Sequence, residues 1–193
     1  MSSTVSSGTT FSLVYDNRKN ALNPQTAFYF NSTWRYNTPV LGSDSIWNSF
    51  FLDARKYFSF SKYHEKVLAF RSYYWTLLRN RPPYLDIPSN GWEPANGTAA
   101  RGIQQNRYRS NALLYFESEY RFGITRNGLL GGVVFVNVLA PSEYGTQNFI
   151  YWRPAIGTGL RLKFNKYSNT NVAGDIAFSN GFVGFYLNIG EMF

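Results

Sequence analysis

A period of two is the strongest constraint in this chain. Over residues 181–193, GFVGFYLNIGEMF, the side chains Phe185, Leu187 and Ile189 fall on one side of an extended backbone. Gly184, Tyr186, Asn188 and Gly190 fall on the other, and the segment runs out on Phe193. Successive side chains of a strand point to opposite faces, so this alternation describes a strand with one apolar face. Helical periodicity is nearly absent elsewhere. Short alternating segments recur instead, separated by Asn, Gly, Ser and Pro. The chain is therefore expected to be all-β.

About nine strand candidates can be marked in this way. Residues 11–16 make a short first one. Residues 25–36 set Phe28, Phe30, Trp34 and Tyr36 against Tyr29, Asn31, Thr33 and Arg35. Residues 50–60 set Leu52, Ala54, Phe58 and Phe60 against Asp53, Arg55 and Ser59; Lys56 breaks the apolar face and is placed to snorkel to a boundary. Residues 66–78 follow. Residues 111–124 set Leu114, Phe116, Tyr120 and Phe122 opposite Tyr115, Glu117, Glu119 and Arg121. Residues 129–140 are rich in Val. Residues 150–164 set Trp152, Ile156, Leu160, Leu162 and Phe164 against Arg153, Gly157, Gly159, Arg161 and Lys163. Residues 172–178 and the terminal segment close the series. The first candidate is short and is not expected to span fully, leaving about eight spanning strands.

One face of nearly every strand is aromatic or aliphatic and the other carries charge. A charged face cannot be a dry core without pairing. The turns also alternate: those near residues 61, 125 and 167 are short, and the loops near 42, 95 and 145 are longer. Both features fit an antiparallel transmembrane β-barrel in a bacterial outer membrane, with a polar lumen, an apolar band toward lipid, short periplasmic turns and longer outside loops. Residues 1–193 are read as one such domain. Residues 1–10 form a disordered or terminal segment, and residues 79–110, with Pro82, Pro83, Pro88 and Pro94, form a long loop. A soluble β-sandwich binding module is the alternative that dispenses with lipid.

Composition removes other classes. The chain of 193 residues has no Cys, so it has neither disulfides nor thiolate metal sites. Its net charge of +8 comes from scattered Lys and Arg with no dense run, so nucleic acid is not an expected partner. No apolar run approaches the roughly 20 residues of a membrane helix. The opening MSSTVSSGTT lacks the layout of a signal peptide, which is consistent with Met1 opening a fragment. His64 is the only histidine and has no partners suggestive of catalysis or metal binding. Gly157-Thr158-Gly159 sits inside an alternating strand, where glycines relieve crowding in a curved wall; it is not a phosphate loop. No catalytic, cofactor or metal site is expected.

Several short motifs occur in a telling order. They are Tyr15-Asp16-Asn17-Arg18 with Asn23-Pro24, Ala100-Arg101-Gly102-Ile103, Glu119-Tyr120-Arg121-Phe122 and Gly132-Val133-Val134-Phe135-Val136-Asn137. Gly157-Thr158-Gly159-Leu160-Arg161 and Asn188-Ile189-Gly190-Glu191-Met192-Phe193 complete the series. In this order the chain, from about Phe11 to Phe193, resembles the carboxyl-terminal barrel half of the bacterial outer-membrane assembly and two-partner-secretion superfamily. This surface-antigen-like family includes the central subunit of the barrel-assembly machinery. The second motif corresponds to a Val-Arg-Gly-aromatic motif in the family's long inward loop, with Ile103 here in place of the aromatic. Asn137 stands where the family usually has Asp. The polypeptide-transport-associated domains and roughly half of the usual sixteen-strand barrel have no counterpart.

The resemblance implies a minimal or truncated, non-enzymatic barrel or pore module of the assembly and protein-transport type, in contact with the bilayer and the outer-membrane assembly machinery. A passive barrel, or a half-barrel completed by self-association into a homo-oligomer, is the other reading. The resemblance also implies a loop–lumen latch. Arg101, with Gly102 allowing close approach, would meet Glu119 or Glu117, and Asn137 could accept one hydrogen bond. A solvated loop arginine, like Arg107 and Arg109, is the plain alternative. Glu117 and Glu119 equally suit general charge balance with Arg121, Arg153 and Arg161. Finally, Phe185, Leu187, Ile189, Gly190 and Phe193 would form a terminal assembly signal.

Overall fold

The computed structural model describes residues 4–61, 66–94, 100–143 and 148–193. Among these, nine strands form one sheet in chain order, every neighbouring pair antiparallel. They are β1 (Gly8–Asp16), β2 (Ala27–Asn37), β3 (Trp47–Ser59), β4 (Lys66–Arg79), β5 (Ala112–Gly123), β6 (Leu130–Pro141), β7 (Arg153–Asn165), β8 (Thr170–Ser179) and β9 (Phe182–Ile189). Two short 3-10 turns, Pro39–Leu41 and Tyr84–Asp86, are the only helical pieces among the described residues. The fold is all-β. A β-sandwich needs two packed sheets, and only one is built here, so the sandwich alternative does not hold.

The period of two decides which way each side chain faces. Along β3 every odd residue from Trp47 to Tyr57 is buried, while its even neighbours are partly or fully exposed. The same parity holds in β5, where Leu113, Tyr115, Glu117, Glu119 and Arg121 face in and Phe116 and Tyr120 face out. In β9 the parity passes to even residues, because the tight turn at Asn180–Gly181 joins it to β8 with Ser179 opposite Phe182. Phe116 and Leu160 are exposed on the outward face.

Strand boundaries mostly fall within a few residues of those legible in the alternation. The first strand is the main correction. It begins at Gly8, not Phe11, and pairs along nine residues with β2, so residues 8–10 are not part of a loose terminal segment and the strand count is nine. The reason is the partner: β2 runs to Asn37 and offers ladder positions that polar Gly8-Thr9-Thr10 can fill whatever their hydropathy. The second correction is at the other end. Strand β9 stops at Ile189, since Gly190 has φ of 96° and turns the backbone inward, where a Cβ would come 2.9 Å from the Leu22 carbonyl oxygen.

Nine antiparallel strands leave β1 and β9 running in the same direction, and the two share no ladder among the described residues. All of β1 is exposed, including Thr10, Ser12 and Val14 on its inner face. Near the short turns this gap is bridged by the β1–β2 connection. The Asn20 amide donates to the Ser168 carbonyl at 2.7 Å, the Asn23 amide to Asn169 at 3.1 Å, and the Glu191 backbone N–H to Leu22 at 2.6 Å.

Much of the interior is filled, although a cavity of about 450 Å³ remains against the inner faces of β1, β2 and β3. Toward the long loops Phe51, Tyr73, Trp75, Leu113, Tyr115 and Leu139 pack with Ala100 and Ile103 of the loop between β4 and β5. Toward the short turns Tyr57, Val67 and Ala69 pack with Phe193. Between these two layers lies a belt of charge.

Candidate functional site: an arginine carried into the interior

The loop between β4 and β5 enters the interior as a sharp turn. Ala100 and Gly102 both take positive φ, 65° and 85°, and the Ile103 N–H closes the turn on the Ala100 carbonyl at 3.0 Å. Gly102 is required twice over, because a Cβ would lie 2.9 Å from the Ala155 Cβ and 3.1 Å from that of Ala177. The tip is held through its backbone. Asn137 Nδ2 donates to the Arg101 carbonyl at 2.9 Å, the Gly102 N–H donates to Tyr186 Oη at 2.8 Å, and Ser179 Oγ donates to the Gly102 carbonyl at 2.5 Å.

Between these two positions the Arg101 side chain, 1% exposed, reaches three carboxylates. Its Nη2 lies 2.5 Å from Glu117 Oε1 and also pairs with Glu119, and its Nη1 lies 2.5 Å from Asp175 Oδ2. The guanidinium carbon sits 3.5 Å from the centroid of the Phe135 ring. A planar fork that shares three acids and lies on an aromatic face is a geometry that Lys cannot copy. Burial alone would push the Arg101 pKa down, but Glu117, Glu119 and Asp175 together hold it well above its ordinary value. The loop therefore keeps its charge in place.

The network extends outward from these acids. Arg121 Nε donates to Glu119 at 2.6 Å, and Arg161 pairs with Asp175 and, at 2.6 Å, with Glu191. Asn171 Nδ2 donates to Glu191 at 2.7 Å, and Tyr115 Oη donates to Glu117 at 2.8 Å. Arg121 Nη2 donates to the Phe193 carbonyl at 3.0 Å, and Phe193, 3% exposed, packs on Tyr57 with ring centroids 6.2 Å apart. Three buried guanidiniums thus face four buried carboxylates.

The structure brings Arg101, Gly102, Glu117, Glu119 and Asn137 together, with Asn137 in a role other than the one expected. It donates to a backbone oxygen and accepts nothing from the guanidinium, because the acids already fill that plane. Arg153 lies outside the network, at the exposed start of β7 against Tyr108 and Tyr151. Arg109 stays in the outer loop on the Tyr84 carbonyl at 2.9 Å. Phe185, Leu187 and Ile189 face outward together, whereas Gly190 and Phe193 belong to the inward tail. His64 lies outside the described residues. Asp175, Ser179 and Tyr186 are members that the sequence reading missed. A signal for Asp175 was present: it is the lone acid in the otherwise apolar VAGDIAF, on the inward parity. The glycines of Gly157-Thr158-Gly159 belong to the same site, since a Cβ at Gly157 would collide with the Phe135 ring and one at Gly159 with the Asp175 carboxylate.

An antiparallel wall with an apolar outside, an ion-paired inside and a loop folded into the middle defines a protein of the barrel class. No protein-family model matches the chain, and no curated protein does. Among solved structures 16 chains match. One is the crystal structure of BamA from Haemophilus ducreyi lacking POTRA domains 1-3, with a TM-score of 0.72 and 13% identity. The alignment covers 93% of this chain and 42% of that one, so the likeness is one of fold, to less than half of the BamA chain.

Proposed function

We propose that residues 1–193 form one outer-membrane β-barrel module of the assembly and translocation type, with residues 79–110 as a loop latched inside it by Arg101. The observation that carries this reading is the two-faced wall. Away from strand ends, Lys56 is the one charge on the outward face among the described residues, while buried charge is concentrated inside. A lipid environment stabilises that distribution, whereas water would leave the wide outer band of Phe, Leu, Ile and Val exposed. Its partners are then the bilayer and the outer-membrane assembly machinery, with the outward residues of β9 and the Phe193 tail as the assembly signal. No reaction is assigned to it: the charged residues inside neutralise one another and hold the loop.

The test is a pair of charges. Phe116→Lys or Leu160→Lys should lower the stability of the refolded, heat-modifiable form by about 2–4 kcal/mol if the site lies near the midplane. Thr33→Lys, on the inward face, should cost much less. Equal losses, or a chain that stays soluble and folded without detergent, would count against the membrane reading. With the loop latched, planar-bilayer conductance should be low and should rise in Arg101→Ala.

One observation favours a second reading, a half-barrel completed by self-association. Among the described residues the outer edges of β1 and β9 have no partner strand, and lipid does not satisfy unpaired N–H and C=O groups. Mass in detergent separates the two readings, since a monomer must close its own seam and a dimer need not.

A further inference from the structure

Away from strand ends, the one outward charge among the described residues, Lys56, faces a groove. Lys56 lies in β3, three residues before its end at Ser59 and about 10 Å along the strand from the short turns. Its ammonium group sits 5.8 Å from the Phe28 ring centroid and 5.4 Å from that of Phe58, and among the described residues it has no carboxylate partner. Beside it the outer surface dips. The sheet register places Lys56 opposite Phe28 and Phe70 in one row, and Ala54 opposite Ser72 and Phe116 in the next. Small side chains at Ala54, Ser72 and Ser118 lie between larger Phe28, Phe70 and Phe116. They leave a groove of about 440 Å³, closed on its far side by Val136 and Val138.

We propose that this groove holds an anionic phospholipid, with an acyl chain along its floor and the phosphate paired with Lys56. The proposal rests on the membrane reading above. A cation on an apolar wall without a protein counter-ion is stabilised by an anion at the depth its stem can reach, and Lys carries its charge toward the interface on four methylenes. The short-turn end of a barrel faces the periplasm, so the headgroup belongs to the inner leaflet. The volume lies in the range of ligand-sized pockets, and the lining favours hydrocarbon over a polar ligand. The same ammonium gives a reason for a Lys at a position where every other mid-strand outward residue is uncharged.

Refolded protein in mixed micelles of phosphatidylglycerol and phosphatidylcholine of equal chain length, read by native mass spectrometry, tests the site. Wild type should retain one phosphatidylglycerol with about fivefold preference, the scale of a single basic residue against an anionic lipid surface. Lys56→Gln keeps the stem and should bring that preference close to one. Ala54→Phe fills the floor without touching the charge and should lose the retained lipid of either headgroup. Protein that floats with vesicles but shows no headgroup preference, or an unchanged preference in Lys56→Gln, overturns the site and leaves the membrane reading intact. A dimer whose interface excludes lipid from wild type and variants alike also overturns it. Protein that fails to float with vesicles overturns the membrane reading and the site with it.

Discussion

The interior holds two ion clusters built from the same chemistry, and they do different things. In the first, Asp53 lies between Arg55 at 2.6 Å and Arg71 at 3.0 Å, all on the β3–β4 hairpin. The register puts Arg55 directly opposite Arg71, a like-charge pair that would repel, and Asp53, two residues from Arg55, pairs with both and offsets part of that repulsion. In the second, Arg101 comes from a loop and joins Glu117 and Glu119 of β5 to Asp175 of β8, 74 residues on. The first cluster corrects a local problem of one hairpin. The second ties a loop, β5 and β8 into one unit, and the loop backbone adds β6 through Asn137 and β9 through Tyr186. A buried ion pair is weak evidence for stability by itself, but one that spans distant elements decides which of them stay together.

Arg101→Ala breaks that contrast most severely. It leaves three buried carboxylates facing one fewer cation, and the expected loss is about 3–5 kcal/mol in urea unfolding of the refolded form. Trypsin should then cut the loop at Arg107 and Arg109. Asp53→Ala should lose stability on a similar scale while the loop stays protected; equal cleavage in both variants would erase the distinction between a local cluster and a tie. Gly102→Ala comes next, at about 1–3 kcal/mol, because an Ala at that φ is strained and its Cβ meets Ala155. Here the readout is protection of the loop, and a fully protected loop would show that the tip does not need close approach.

Pairing Arg101→Ala with Glu119→Ala measures the tie itself. The double variant should lose less than the sum of the singles, with about 0.5–3 kcal/mol of coupling. Additive losses would mean that the two groups act independently. The smallest effect belongs to Tyr186→Phe. It removes the acceptor for the Gly102 N–H and should cost about 0.5–1.5 kcal/mol, with faster hydrogen exchange at Gly102 and along β9. An exchange change confined to the loop would separate the edge strand from the tie.

How much of this was legible varies residue by residue. Phe116 outward and Glu117 inward follow from parity alone, as do Phe185, Leu187 and Ile189. The correction at β1 arose because Gly8-Thr9-Thr10 has no apolar face to read, and its strand state comes from pairing with Arg35, Tyr36 and Asn37. Phe193 continues the outward alternation on paper, yet Gly190 turns it inward onto Tyr57 and Arg121. Asp175 was visible as an inward acid, but nothing local connects it to a loop 74 residues earlier.

Sequence alone therefore determined the two faces of the wall, because the strand period is a covalent property of extended backbone and needs no partner to be read. It also marked residues 79–110 as a long loop, whereas Arg101-Gly102 as its point of close approach came only from the resemblance and stood beside the plain reading of a solvated loop arginine. Tertiary structure alone decided which carboxylates meet the guanidinium, that Asn137 donates to backbone, and that the tail after Ile189 folds inside. Each of these depends on how the curved sheet brings strands far apart in sequence around one volume. A buried charge selects its partner by which acid that curvature places within hydrogen-bonding reach.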